Sequence, residues 1–252
     1  MKKIRPEKPQ SRHEFLKWYH VASLGQTLQE KEAAFLRGSL NLAYKHTVLQ
    51  VGRLGSESRY IDPEMIGSFV LADKQGPRSS PVFVQATAGS LPFQSESIDT
   101  VLLPHVLEFV ADRHQVLREA ERVLKPEGHL FILGLNPWSP LRLLSLPRRP
   151  ASFWRSYLID PSQLLDWLSL LKFDAEIEAI FAGKTTIRPS AARERLFGIR
   201  YCLSPGYAIR AIKRNYTLIP LDPEWAPLKR LVGTGLIDAP QLNRESILET
   251  SR

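Results

Sequence analysis

The apolar residues in the middle of the chain fall into five short continuous runs, most of them followed at once by Gly, Asp, Pro or Asn. Continuous runs, as opposed to alternating ones, are typical of parallel strands that are covered on both faces of a sheet. Helical spacing of apolar residues occurs between and around the runs. The pattern therefore predicts a Rossmann-like α/β fold with a mainly parallel sheet and helices on both faces. The five predicted strands are residues 47–51, 68–72, 82–86, 99–103 and 129–135.

Three further segments have the apolar spacing or the capping residues of helices. Residues 13–45 carry apolar side chains at helical intervals, with Gly25 as the expected break. Asp112 is placed to cap a second helix, and Gln115 is its expected return partner in a capping box. An Asp-Pro pair at residues 160–161 predicts the start of a third helix, because proline is favoured at the first helical position.

Two later segments alternate between apolar and polar residues. Residues 175–181 and 207–214 predict two strands that form a C-terminal antiparallel hairpin, and the charges in the second predict that it lies at the edge of the sheet. These patterns divide the chain into an N-terminal helical extension (1–46), an α/β domain (47–220) and a loosely structured C-terminal tail (221–252).

The chain is basic, with 34 Lys and Arg against 26 Asp and Glu among 252 residues, a net charge of +8. The excess lies at the ends: residues 1–46 carry +5, residues 47–183 carry −3 and residues 184–252 carry +6. Basic ends of this kind favour contact with RNA, an anionic membrane or an acidic partner. The alternative interpretation is a solubilising surface.

Several classes of protein are excluded or disfavoured by the composition. With 43% hydrophobic and 24% charged residues the chain is of ordinary globular composition. No apolar run reaches the roughly 18 residues of a membrane span, and the basic N-terminus has no apolar segment behind it that would indicate a signal peptide. Cys202 is the single cysteine, so no internal disulfide or Cys-based zinc site is predicted. These features predict a cytoplasmic protein.

Ligands of open α/β sheets bind beyond the carboxyl ends of the strands, near the point where the strand order reverses. In this chain, the residues that follow the predicted strands are therefore the first candidates for a site. They are Gly52, Asp73, residues 86–89, residues 104–108 and residues 136–139.

An ordered set of motifs then identifies a family. Leu-Pro-Phe at 91–93, Ile-Asp-Thr-Val at 98–101, His-Val-Leu-Glu at 105–108 and Arg-Val-Leu-Lys-Pro-Glu-Gly at 122–128 resemble the type-11 branch of class I S-adenosylmethionine-dependent methyltransferases. The resemblance implies that residues 47–220 form a methyltransferase domain and that S-adenosyl-L-methionine is its cofactor. Within the branch, the chain is similar to an uncharacterised proteobacterial subgroup with a degenerate glycine-rich motif.

The resemblance assigns the ribose hydroxyls of the cofactor to Asp73, whose carboxylate can accept from both; the alternative is an aspartate in a surface turn. The family's acidic and glycine-rich pattern after the first strand aligns with Gln50, Gly52, Leu54 and Ser56. Gly52 retains the freedom that a close backbone approach needs. Leu54 is expected to place bulk where the cofactor passes. Gln50 keeps an amide oxygen for the cofactor's ammonium group, although the formal charge is gone.

Further residues are implied at the next two strands. Thr87 and Ala88 stand where the family contacts adenine; the alternative for Thr87 is a simple loop residue. Pro104 and His105 stand where the fourth strand leads toward the substrate, and Pro104 is expected to be among the cofactor-binding residues. His105, oriented by Glu108, is a candidate general base; the alternative is a histidine that orients the next segment or lines the cofactor pocket. The other histidines have no cluster of carboxylates or Cys around them, so no metal site is predicted.

Three functions follow as hypotheses. The first is an S-adenosylmethionine-dependent methyltransferase acting on an unknown small-molecule or lipid-like acceptor. The second is a methyltransferase-fold protein with impaired catalysis that serves as a binding or regulatory partner. The third is an RNA-associated methyltransferase that uses its basic termini. Arg142, Arg148 and Arg149, in a segment rich in Pro and aromatic residues, are candidates for an anionic substrate or surface; solvated arginines are the alternative.

Overall fold

The five apolar runs form strands in the computed structural model, which describes residues 9–40, 46–55, 57–62, 64, 66–74, 82–140, 158–182, 185–187, 201 and 204–214. The helices are α1 (Pro9–Val21), α2 (Ser23–Leu40), α3 (Arg113–Val123) and α4 (Pro161–Leu170). The strands are β1 (Thr47–Val51), β2 (Ser68–Asp73), β3 (Phe83–Gln85), β4 (Ile98–Pro104), β5 (Leu124–Leu135), β6 (Phe173–Ala182), β7 (Thr185–Ile187) and β8 (Gly206–Lys213).

The strands form one sheet in the order β3-β2-β1-β4-β5-β8-β6-β7. The first five strands are parallel, whereas β8 runs antiparallel to both of its neighbours, β5 and β6. The predicted α/β class, the mainly parallel sheet and the C-terminal antiparallel pair are therefore confirmed. Because the order reverses between β1 and β4, the carboxyl ends of β1, β2 and β4 open a crevice at which ligands of such sheets bind.

The prediction of an edge position for residues 207–214 is wrong, because β8 is hydrogen-bonded on both sides. Its charged side chains bind other protein groups at the sheet surface instead of facing solvent at an edge. Arg210 donates to Glu176 on the neighbouring strand at 2.6 Å. The Lys213 ammonium donates to the carbonyl oxygens of Glu121 and Leu124 at 2.8 and 3.0 Å, at the end of α3.

Two hydrophobic clusters cover the two faces of the sheet. Alternate residues of one strand belong to different clusters, as Leu49 and Val48 do on β1. On one face α3 and α4 contribute residues such as Leu117 and Leu164, both with 0% exposure. On the other face α1 and α2 contribute the second layer. Full burial of each large apolar side chain stabilises the fold by about 1.5–3 kcal/mol. The N-terminal helices, which bury Phe15, Tyr19 and Leu36 on this face, are therefore an integral part of the core.

The break between the N-terminal helices lies at Ala22 and not at the predicted Gly25. Gly25 instead lies within α2, where α1 approaches it closely. A Cβ atom on Gly25 would lie 2.3 Å from the carbonyl oxygen of Trp18. The absence of a side chain therefore allows the two helices to pack together, and the residue's role is contact between helices.

The predicted caps of the later helices are largely confirmed. The Asp112 carboxylate accepts from the backbone N–H of Gln115 at 3.0 Å, and Asp160 accepts from that of Ser162 at 3.0 Å. The Gln115 side chain does not return to the cap; it donates to the carbonyl oxygen of Gly89 at 3.3 Å. This contact ties the start of α3 to the loop after β3.

Some sequence predictions concern residues outside the described ranges. Arg142, Arg148, Arg149 and the tail 221–252 are among them, so their assigned roles stay predictions, as do the domain boundaries. Among the helices that the structure does describe, none combines the length and apolar character that crossing a membrane requires.

Candidate functional site

A cavity of about 1260 Å³ opens at the carboxyl ends of β1, β2 and β3. Its walls come from the loops after these strands, from residues 106–116 and from one side of α1. The cavity brings together five residues that were predicted to bind cofactor. They are Gly52, Leu54, Asp73, Thr87 and Ala88.

The loop after β1 adopts a backbone conformation that only glycine accepts readily. Gly52 has φ 86° and Gly55 has φ 85°, both in the left-handed region. A Cβ atom on Gly52 would also lie 2.7 Å from Cγ2 of Val106, on the segment after β4. Glycine is therefore required at position 52 both by the left-handed backbone and by the lack of room for a Cβ atom. Gly55, which lies out of register with the family pattern, is the second left-handed residue of the loop.

A carboxylate inside the loop accepts hydrogen bonds from two of the loop's backbone N–H groups. Glu57 Oε1 accepts from the backbone N–H of Leu54 at 2.7 Å and of Gly55 at 3.0 Å. It also accepts from the Gln50 side chain at 3.2 Å. Gln50 is fully buried, and its Oε1 accepts from the Tyr60 hydroxyl at 2.7 Å. The amide oxygen that was predicted to bind an ammonium group thus already has a donor, and Gln50 does not line the cavity.

Leu54 does not fill the path of the cofactor. Its side chain is only 3% exposed and packs in the cluster beneath α1 and α2. Its carbonyl oxygen lies 2.7 Å from Nε2 of His20, on α1. The bulk expected in the cavity is instead directed into the core, and the loop is fastened to the N-terminal helix.

Asp73 ends β2 and points its carboxylate toward the cavity with 7% exposure. The Arg12 guanidinium donates to both carboxylate oxygens, at 3.0 and 2.8 Å. The backbone N–H groups of Arg53 and Lys74 donate at 2.7 and 2.6 Å. Burial alone would raise the pKa of Asp73, but Arg12 and the two backbone donors outweigh it and lower that pKa below its ordinary value. Asp73 is therefore held as a carboxylate.

The remaining predicted cofactor residues divide between the cavity and the core. Thr87 is exposed and Ala88 half-buried, and both line the cavity after β3. Pro104 is buried as the last residue of β4 and does not line the cavity.

His105 is buried beneath α1 and not in the cavity. Its ring lies 4.8 Å from the ring of Phe15 and 5.9 Å from that of Tyr19, between centroids. Nε2 lies 3.0 Å from Oε1 of Glu32, on α2, and Nδ1 lies 3.5 Å from Oε1 of Glu108, an ion-pair distance longer than a good hydrogen bond. This geometry gives the general-base hypothesis no support and matches the alternative, a histidine that orients the segment after β4.

The charge on His105 follows from these neighbours. Burial would lower the pKa of the imidazole, but the carboxylates of Glu32 and Glu108 outweigh burial and raise that pKa to about 10. Glu32 also accepts from the Tyr19 hydroxyl at 2.6 Å. Tyr19, Glu32, His105 and Glu108 are termed the buried polar cluster below; it connects both N-terminal helices to the end of β4.

The helix α1 forms a wall of the cavity that the sequence did not predict. Arg12, His13, Leu16, Lys17 and His20 all line the cavity. Their spacing along a helix was visible in the sequence, but nothing in it indicated which loop the helix would face. The basic residues were assigned instead to a solvated or partner-binding surface.

Comparison with known proteins identifies the family that part of the chain resembles. The family described as "Methyltransferase domain", type 11, matches residues 47–132, which run from β1 into β5. The resemblance deduced from the sequence motifs is therefore confirmed over this segment. S-adenosyl-L-methionine is the cofactor that this match implies.

Two curated relatives and one solved structure illustrate the similarity. The "Uncharacterized protein YafS" of Escherichia coli K12 is 39% identical over 52% of this chain and 54% of its own. The "Ubiquinone/menaquinone biosynthesis C-methyltransferase UbiE" of Shewanella baltica OS155 is 30% identical over 49% of this chain and 50% of its own. The chain thus spans about half the length of the curated relatives it matches. A Thermotoga maritima structure, titled a SAM-dependent methyltransferase and possible histamine N-methyltransferase, has 17% identity and a TM-score of 0.56 over 80% of this chain and 99% of its own, a likeness of fold.

The residues present fit this cofactor. Gly52 has no side chain of its own at the cavity, Asp73 offers a carboxylate at the end of β2, and Thr87 and Ala88 border the cavity after β3. Held there, the cofactor would supply a methyl group on a sulfonium centre.

Proposed function

We propose that this protein is an S-adenosylmethionine-dependent methyltransferase that acts on a small-molecule or lipid-like acceptor. The observation that carries the proposal is the juxtaposition of Gly52, Asp73, Thr87 and Ala88 around one cavity in a methyltransferase domain. Asp73 would hold the ribose hydroxyls, Gly52 would permit close backbone approach to the amino-acid end, and Thr87 and Ala88 would border the adenine.

The protein's contribution to such a reaction is position and exclusion of water. Methyl transfer is an in-line displacement, so correct alignment of donor and acceptor supplies much of the rate enhancement. Val106 and Phe109, on the segment after β4, give the cavity an apolar wall next to Gly52. The buried polar cluster fixes the start of this segment from below through His105.

Two observations support the acceptor class. The cavity wall includes Val51, Val106, Phe109 and Val110, which suits an acceptor with an apolar body. The UbiE relatives are named for methylation in ubiquinone and menaquinone biosynthesis, which involves lipid-like molecules. The acceptor itself, and the atom that receives the methyl group, would be identified by a screen of candidate acceptors with isotopically labelled methyl donor.

The first experiment measures cofactor binding. S-adenosylhomocysteine, the demethylated product, is titrated into wild type, Asp73→Asn and Asp112→Asn in a calorimeter. We expect measurable binding to wild type and loss of most of it in Asp73→Asn. Asp112→Asn is the matched control: it makes the same chemical change at the same cavity, and Asn caps a helix as well as Asp does. Equal binding by all three proteins would show that the ribose site is elsewhere.

A second candidate, a methyltransferase-fold protein that has lost catalysis and binds a partner, has specific observations in its favour. The amide oxygen of Gln50 is engaged by Tyr60, and both oxygens of Asp73 are engaged by Arg12. Absence of any heat at millimolar S-adenosylhomocysteine, in protein shown to be folded, would favour this candidate over the enzyme.

A further inference from the structure

We infer that Arg12 is an internal competitor for the cofactor: its guanidinium occupies the place of the ribose hydroxyls on Asp73, and the cofactor binds only after this side chain withdraws. The inference rests on the proposed function, since it takes Asp73 to be the ribose-binding residue. It adds a residue from the N-terminal helix that sets cofactor affinity.

The first step is a count of the acceptor sites on Asp73. An ionised carboxylate offers about four lone-pair directions on its two oxygens. Oδ1 accepts from Arg12 Nη1 at 3.0 Å and from the backbone of Lys74 at 2.6 Å. Oδ2 accepts from Arg12 Nη2 at 2.8 Å and from the backbone of Arg53 at 2.7 Å. All four directions are used, so a diol must displace a donor that is already present.

The second step identifies which donor can leave. The N–H groups of Arg53 and Lys74 belong to the backbone of the loop after β1 and of the residue that follows β2. Their removal would require the strand ends to move. Arg12 reaches Asp73 from a position 61 residues away in sequence, with a side chain that is 28% exposed. Arg12 is the displaceable partner.

The guanidinium also crosses the space that the cofactor requires. Arg12 Nη2 lies 3.3 Å from the position of a Cβ on Gly52 and donates to the carbonyl oxygen of Arg53 at 3.2 Å. It therefore lies directly over the glycine that permits close approach of the amino-acid end. One side chain covers two parts of the proposed cofactor site.

The movement is confined to the side chain, because the helix that carries it is anchored. Phe15 and Tyr19, the next inward-facing residues of α1, are each 1% exposed. Tyr19 is bonded to Glu32, and His20 to the carbonyl oxygen of Leu54. Arg12 lies one turn before Phe15 and can rotate toward solvent while these contacts persist.

The test compares S-adenosylhomocysteine binding by calorimetry in wild type, Arg12→Ala, Arg12→Lys and Arg37→Ala. Removing a charge-assisted competitor is expected to tighten binding by about tenfold in Arg12→Ala. Arg12→Lys, which cannot bridge both oxygens, should fall between the two. Arg37→Ala removes the same charge from α2, away from the cavity, and should bind as wild type does. Arg12→Met keeps the apolar stem and replaces Arg12→Ala if that variant does not fold.

A second readout is independent of turnover. Free Arg12→Ala leaves the buried carboxylate of Asp73 without its cation, so its melting temperature should be below that of wild type. Saturating S-adenosylhomocysteine should raise the melting temperature of Arg12→Ala by more than it raises that of wild type.

The outcomes separate the two proposals. Tighter binding by Arg12→Ala with unchanged binding by Arg37→Ala supports the competitor role. Equal or weaker binding by Arg12→Ala, while Asp73→Asn abolishes binding, overturns the competitor role and leaves the proposed function in place. Failure of every folded variant to bind overturns the proposed function, and the competitor role with it.

Discussion

The two faces of the sheet are covered in physically different ways. On the face of α3 and α4, the layer is built from apolar side chains such as Val116, Leu117 and Leu168. On the face of α1 and α2, the apolar layer also encloses charged groups, namely Glu32 and His105 of the buried polar cluster. The first face contributes stability mainly by apolar burial. The second places ionic contacts at His105, next to Val106 of the cavity wall.

The N-terminal helices therefore have two roles. Phe15 and Tyr19 contribute to the core, whereas Arg12 and His20 on the same helix contact the loops of the cavity. A change in the buried polar cluster should therefore affect both stability and binding. A change on the other face at a residue that does not line the cavity, such as Leu117, should affect stability alone.

The largest effect is expected for Glu32→Gln. This change keeps the volume but removes one carboxylate from a buried charge pair, which typically costs about 3–5 kcal/mol. We expect the free energy of unfolding, measured in urea, to fall by about 4 kcal/mol. A loss below about 1 kcal/mol would mean that the pair is not formed between charged groups.

The pH dependence of stability sharpens the same comparison. The pKa of His105 is raised from an ordinary 6.5 to about 10, so protonation of His105 favours the folded state. This stabilisation is fully present below about pH 6.5 and is lost as the pH rises to about 10. The ionisable groups around the imidazole are the carboxylates of Glu32 and Glu108, together with the hydroxyl of Tyr19, which is bonded to Glu32. The difference in stability between wild type and Glu32→Gln should therefore shrink across that interval; a constant difference would contradict the assigned charge.

Leu117→Ala tests the apolar face. Leu117 has 0% exposure, and truncation of a buried leucine costs about 2–5 kcal/mol. We expect a loss near 3 kcal/mol, with S-adenosylhomocysteine affinity unchanged at a temperature where the protein is folded. Affinity that fell along with stability would show that the two faces are coupled more closely than their contacts indicate.

Gly52→Ala has a smaller effect on stability and a larger one on the site. A left-handed φ costs a non-glycine residue about 1–2 kcal/mol, and the new Cβ would approach Val106 at 2.7 Å. We expect a loss of about 2 kcal/mol and weaker S-adenosylhomocysteine binding, measured by urea unfolding and calorimetry. Retained affinity would argue against backbone approach at Gly52.

The smallest effect is expected for Glu176→Gln, the matched control for Glu32→Gln. Glu176 is 62% exposed and pairs with Arg210 on the sheet surface. Exposed ion pairs contribute roughly 0–1 kcal/mol, so the urea midpoint should move little and its pH dependence should not change. A loss comparable to that of Glu32→Gln would remove the distinction between buried and surface charges in this protein.

The sequence predicted the layers and the family because both depend on local patterns. Continuous apolar runs marked the parallel strands, Asp112 and Asp160 marked helix starts, and the ordered motifs marked the methyltransferase domain. Gly52 and Asp73 were predicted to face a common site because each follows a strand that ends at the same edge. Two predictions were wrong, an edge position for residues 207–214 and a helix break at Gly25. In both cases a contact with another element decided the outcome: β8 pairs with β5 and β6, and α1 packs against Gly25.

Local sequence patterns were therefore enough to predict the strands, most of the helices and the resemblance of residues 47–132 to methyltransferase domains. They were also enough to bring Gly52, Asp73, Thr87 and Ala88 together at one edge of the sheet, where all four line one cavity. Three features became visible only in the folded chain. The Leu54 side chain packs in the core, the Gln50 amide oxygen accepts from the Tyr60 hydroxyl, and the Arg12 guanidinium donates to both oxygens of Asp73. The difference lies in the sequence distance over which each kind of interaction acts. Periodicity and capping act over a few residues, whereas the Arg12–Asp73 and Glu32–His105 contacts join residues 61 and 73 positions apart and exist only once α1 and α2 pack on the sheet.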